Sequence, residues 1–75
     1  MVKQAVIRLN NPEAVQEFVK AAEKCSFDID VKYNRIIVDA KSFLGVMGLC
    51  SNPVSVCSHG EDSAFERLLE KFAIC

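Results

Sequence analysis

Apolar positions recur along this chain with two periods, and each period marks a kind of element. Ala5, Ile7 and Leu9 share one face of a run whose other face carries Val6 and Arg8, which predicts a first strand. Asn10, Asn11 and Pro12 stop it. Asn11 suits an N-cap, Pro12 the first helical position, and Glu13 the positive end of the helix dipole. Val15, Phe18, Val19, Ala22 and Cys25 then repeat at helical spacing, with Gln16, Glu17, Lys20, Glu23 and Lys24 on the wet side. From Phe27 the period returns to two: Phe27, Ile29, Val31 and Tyr33 alternate with Asp28, Asp30 and Lys32. Asn34-Arg35 turns the chain into a second strand, Ile36 to Ala40, although Arg35 suits a tight turn that wants positive φ less well than glycine.

Beyond Ala40 the stretch Lys-Ser-Phe-Leu-Gly-Val-Met-Gly-Leu, residues 41 to 49, predicts a short helix weakened by two glycines. A strand from Val54 to Cys57 follows Pro53. Ser58 to Asp62 connect it to a last helix, where Ser63 and Glu66 have capping-box spacing. Ala64, Phe65, Leu68, Leu69, Phe72 and Ala73 form the apolar stripe of that helix. The order is β-α-β-β-α-β-α, and each strand has one apolar face. This predicts an α+β open-faced two-layer sandwich, a four-stranded antiparallel sheet with the helices on one side. Arg8, Asp28, Asp30, Lys32 and Asp39 would then face water on the other side.

Composition narrows the function. A chain of 75 residues accommodates one domain, taken as residues 1–75, and its 51 % hydrophobic content suffices for a core. A domain of this size hides only about 60 to 65 % of the surface of its unfolded chain, so modest stability is expected. The net charge is −1 and no basic cluster occurs, so neither nucleic acid nor a membrane surface is an expected partner. No apolar run approaches the roughly 20 residues of a membrane span, and Met1 to Gln4 does not begin a signal peptide, so the cytoplasm is the expected compartment.

The chemistry of the chain is sparse. Cys25, Cys50, Cys57 and Cys75 include no Cys-x-x-Cys pair, and free thiols without metal are expected. His59 is the single histidine and is read as a loop residue that merely caps or meets solvent. Cys57 and His59, two apart, lack an orienting third residue and an oxyanion donor. Asp28 and Asp30 lack a cleft, and no glycine loop is built to hold phosphate. The sequence reads as a non-enzyme with no cofactor.

Residues 40 to 49 are similar to the Lys-Ser-Ile-Met-Gly-Val-Met-Ser-Leu helix of the HPr phosphocarrier family of bacterial sugar phosphotransferase systems. Lys41, Ser42, Gly45, Val46, Met47 and Leu49 match in order, and Tyr33-Asn34 and Gly60-Glu61-Asp62 occupy comparable turns. The resemblance, together with the element order, covers nearly the whole chain and implies the strand order 1-4-2-3. It fails at the family's chemistry. The phosphoryl-carrying histidine belongs in a Gly-Leu-His-x-Arg-Pro-Ala loop before the first helix, where this chain has a shorter Asn10-Asn11-Pro12-Glu13-Ala14. Glu13 adds negative charge where a phosphoryl group would sit. The segment between Leu49 and Val54 is shorter too.

On a helix starting at Ser42, Phe43, Val46 and Leu49 or Cys50 lie on one side, and Leu44 and Met47 on another. Val46 and Leu49 are expected to pack on the sheet. Leu44 and Met47, with part of Phe43, would stay partly exposed as a docking patch. The alternative is that all five are core. The resemblance implies that this helix and the start of the first helix bind partner proteins, with Lys41, Phe43, Leu44 and Met47 as contacts. It also makes Ser42, an N-cap by position, the candidate for phosphorylation. The expected function is a regulatory interaction module, monomeric, with an HPr-kinase-like enzyme, a transcriptional regulator or another phosphotransferase protein as partner. The alternatives are a phosphocarrier with a different acceptor, or a structural domain unrelated to sugar transport.

Overall fold

The computed structural model describes residues 3 to 74. β1 spans Lys3–Arg8, α1 Pro12–Glu23, β2 Ile29–Tyr33, β3 Ile36–Asp39, α2 Phe43–Met47, β4 Pro53–Ser58 and α3 Ser63–Phe72. The strands form one sheet in the order β1-β4-β2-β3, every neighbouring pair antiparallel. This is the expected open-faced α+β sandwich. Period-two burial brings Ile7, Leu9, Ile29, Val31, Val54 and Val56 to the covered face. There they meet Val15, Phe18, Val19 and Ala22 of α1, and Phe65 and Leu69 of α3. The Phe18 and Phe65 rings lie 5.7 Å apart, tilted by 46°, and join the two long helices.

The start of α1 is as expected. Pro12 opens the helix, and the Asn11 side chain accepts the Ala14 N–H at 2.8 Å. At α3 the cap differs. Asp62, not Ser63, is the N-cap, its Oδ1 accepting the Phe65 N–H at 2.9 Å, and Ser63 is the first helical residue. Asp62 can take the same amide and also places a negative charge at the positive helix end.

β2 begins two residues later than the alternation implies. Phe27 leaves the strand to pack under the connection after β4, so close that a Cβ on Gly60 would stand 2.3 Å from its ring. Pairing persists beyond the strand ends, with the His59 N–H donating to Asp28 O at 3.0 Å. In the β2–β3 turn only Asn34 takes positive φ, 55°, so Arg35 escapes the strain that a tight turn threatened.

The open sheet face departs from a uniformly wet surface. Asp28 lies outside the strands, and Cys57, between Gln4 and Asp30 in the pairing register, is buried. A small side chain on a central strand is covered by its longer cross-strand neighbours.

Candidate partner-docking and modification site

α2 is held at both its entrance and its underside. The Asp39 carboxylate accepts the Lys41 N–H at 2.9 Å, and Asp39 O accepts the Ser42 N–H at 2.9 Å. Ser42 then caps the helix: its Oγ accepts the Gly45 N–H at 3.3 Å, and its carbonyl accepts the Val46 N–H at 3.0 Å. Val46 and Leu49 are buried as expected. Gly45 has a packing role, since a Cβ there would lie 3.2 Å from Val38 Cβ. Glycine thus lets α2 lie close on β3, which answers why so short a helix tolerates it.

The other apolar side chains divide. Leu44 is 83 % exposed and Phe43 41 % exposed. Met47, expected to stay partly exposed beside Leu44, is half-buried and packed against the core. At about 100° per residue Leu44 stands nearly opposite Val46, whereas Met47 stands on the flank of the buried stripe. Phe43 joins Gln16, Val19, Lys20, Glu23 and Lys41 around a recess of about 210 Å³ between α1 and α2. Lys41 is half-buried, and its Nζ donates to Cys25 O at 3.0 Å, tying the entrance of α2 to the end of α1.

Sequence pattern did not reveal the Gly45–Val38 approach or the Lys41–Cys25 tie, which join distant segments. The Asp39 contact had a local signal, because Asp two residues ahead of an amide is an Asx-turn spacing.

The β1–α1 connection is fastened to the exit of α2. Leu9 O accepts the Ser51 N–H at 2.7 Å and the Cys50 thiol at 3.1 Å. Asn10, Asn11 and Glu13 are exposed there. His59 lies at the opposite end of the sheet, because Arg8 pairs with Pro53 and Lys3 with Ser58. Its Nε2 stands 3.3 Å from Asp30 Oδ2 on the surface, so the ring turns to a carboxylate rather than to the Cys57 thiol.

Cys25, Cys50 and Cys57 are unpaired thiols, and Cys75 lies outside the described residues. Burial pushes the Cys25 thiol up, the Asp62 charge adds to this, and Lys41 partly opposes it. Among the described residues no cluster of three or more His, Cys, Asp or Glu is placed to hold a metal, and no helix is long and apolar enough to cross a membrane.

Comparison with known proteins agrees with this architecture. The PTS-HPr family profile, described as "PTS HPr component phosphorylation site", matches residues 13–73. Similar solved structures include the phosphocarrier protein HPr from Bacillus anthracis str. Ames. It has a TM-score of 0.73 at 22 % identity, with 95 % of this chain and 96 % of that one covered. HPr-C-His from Thermoanaerobacter tengcongensis also has a TM-score of 0.73, at 27 % identity, with 95 % and 92 % covered. No curated protein sequence matches.

Proposed function

We propose, on the premise that this chain belongs to the PTS-HPr family of the sugar phosphotransferase system, that it is a non-catalytic regulatory member acting through α2 and modified on Ser42. One observation carries the reading: the exposed Ser42 hydroxyl stands at the entrance of a helix whose outer side presents Leu44 and Phe43 to solvent. A hydroxyl beside an apolar patch lets one modification change what the patch can bind. The patch consists of Leu44 and Phe43, with Met47 at its buried margin and Lys41 behind it. An HPr-kinase-like enzyme would transfer the γ-phosphoryl group of ATP to Ser42 Oγ, releasing ADP and the hydroxyl proton. Up to two negative charges would then stand beside Phe43 and Leu44 and alter which partner surface fits. A cytoplasmic transcriptional regulator or another phosphotransferase protein is the partner this chemistry suits.

Relay of phosphoryl groups from phosphoenolpyruvate is a different activity, and the β1–α1 connection argues against it. Asn10 and Asn11 carry no nucleophile, and Glu13 repels an incoming phosphoryl group. Mass spectrometry after incubation with a bacterial HPr kinase and ATP should find one phosphoryl group, lost in Ser42→Ala. Enzyme I with phosphoenolpyruvate should leave no acid-labile label. No mass gain, or a gain that survives Ser42→Ala, overturns the Ser42 assignment, and acid-labile label overturns the non-carrier one.

A further inference from the structure

The strand order leaves two sheet edges, and only one is covered. Along β1, the segment after α3 bridges Ala73 to Ile7, and the Ile74 N–H donates to Val6 O at 3.1 Å. β3 has no such cover among the described residues, and Ile36 and Ile37 are 50 % and 60 % exposed. Its backbone groups divide by parity. A two-residue turn makes Tyr33 and Ile36 a hydrogen-bonded closing pair. Four residues on, the Ala40 N–H donates to Ile29 O at 2.9 Å. Ile36, Val38 and the Ala40 N–H are therefore turned to β2, while both groups of Ile37 and the N–H of Asp39 aim outward, the Asp39 carbonyl already accepting the Ser42 N–H. Edge strands are commonly blunted by being very short, or by charged side chains, proline or a bulge. β3 is short, four residues, and carries one charge, Asp39, but it contains neither lysine nor proline, and its register with β2 runs without a bulge.

Ile37 and Asp39 alternate onto the open sheet face, and Arg35, in the turn just before β3, holds the same parity, which gives the order cation, apolar, anion. An antiparallel second copy reverses that order. With Ile37 opposite Ile37 of the second copy, each Arg35 faces an Asp39, and each Ile36 faces a Val38 on the helix side. The same register sets outward backbone groups against each other: the two Ile37 residues exchange N–H and C=O, and each Asp39 N–H meets an Arg35 C=O. A slip of one residue breaks that parity, and a slip of two puts Ile37 against a charge. Opposite charges and apolar pairs facing across strands are both stabilising, whereas like charges are not. Asp39 already stands opposite Asp30 within its own sheet, and among the described residues Arg35 has no carboxylate partner. The second copy gives Arg35 a carboxylate and sets a cation opposite Asp39, whose carboxylate otherwise accepts only the Lys41 N–H among the described residues.

We infer that β3 pairs antiparallel with β3 of a second copy of this chain, joining two sheets into one of eight strands across a two-fold axis. This departs from the monomer expected from sequence, and it stands independently of the Ser42 reading. Four-residue strands bury less than the roughly 1,200 Å² of a standard interface, so the association is weak and concentration-dependent. Sedimentation equilibrium from micromolar to millimolar protein should give a mass rising towards twice that of the monomer. Arg35→Asp and Asp39→Arg should each lose the rise, since each sets like charges face to face. The double variant, with the charges exchanged, should regain it. Amide spectra of the unmodified protein give a second readout that needs no variant: the Ile37 and Asp39 N–H signals should shift with concentration. A constant monomer mass, association undiminished in the single variants, no recovery in the double variant, or shifts confined to other segments overturns the proposal.

Discussion

Burial raises the pKa of the Cys25 thiol just past the end of α1, the Asp62 charge adds to this, and Lys41 partly opposes it. Below the ordinary thiol value of 9.0 the folded and unfolded chains both hold the proton, and this group adds no pH dependence. As pH rises past that value the unfolded chain loses its proton first, while the native thiol keeps it. Stability therefore falls with rising pH until the raised native pKa is passed. Denaturant titrations across this alkaline range should show a steeper loss for the unmodified protein than for Cys25→Ala. Equal slopes would mean that the thiol ionises as easily folded as unfolded.

Helix boundaries and faces are decided by single contacts whose removal can be measured. With Asp62 as the cap of α3, Asp62→Ala should cost about 0.5–2 kcal/mol in urea unfolding. Ser63→Ala, at the first helical position, should stay within about 0.5 kcal/mol. The reverse ranking would restore the serine cap expected from the capping-box spacing. On α2, Leu44 is 83 % exposed, so Leu44→Ala should change stability by less than about 0.5 kcal/mol. If the patch docks proteins, the same variant should be phosphorylated on Ser42 more slowly by the kinase. An unchanged rate, with Ser42 still modified, would detach Leu44 from recognition.

For the whole molecule, stability concentrates where the helix layer meets the sheet. Phe18 is fully buried and its ring contacts Phe65, so Phe18→Ala should cost about 3–5 kcal/mol. Against a total of about 5–15 kcal/mol for a small domain, that leaves little folded margin. Thermal unfolding of Phe18→Ala should lose most of its cooperative transition near ambient temperature. A melting point close to that of the unmodified protein would place the core elsewhere.

Much of this fold is written in local sequence, for a physical reason. Burial on one side imposes a period of 2 on a strand and 3.6 on a helix, so Ile29, Val31 and Tyr33, or Val15, Phe18 and Val19, declare their elements without knowledge of any partner. Asn11 and Ser42 declare helix starts because a cap bonds within its own first turn. Relations between distant segments leave no such trace. Gly60 gives way to Phe27, Gly45 to Val38, and Lys41 reaches Cys25 O, each between separate parts of the fold. The rotation of α2, which hides half of Met47 and leaves Leu44 in water, depends on how closely the helix lies on β3. Strand order likewise decides which edge stays open. The charge order of Arg35, Ile37 and Asp39 belongs to the sequence, but it faces outward only because the tertiary structure puts β3 at the edge and covers β1.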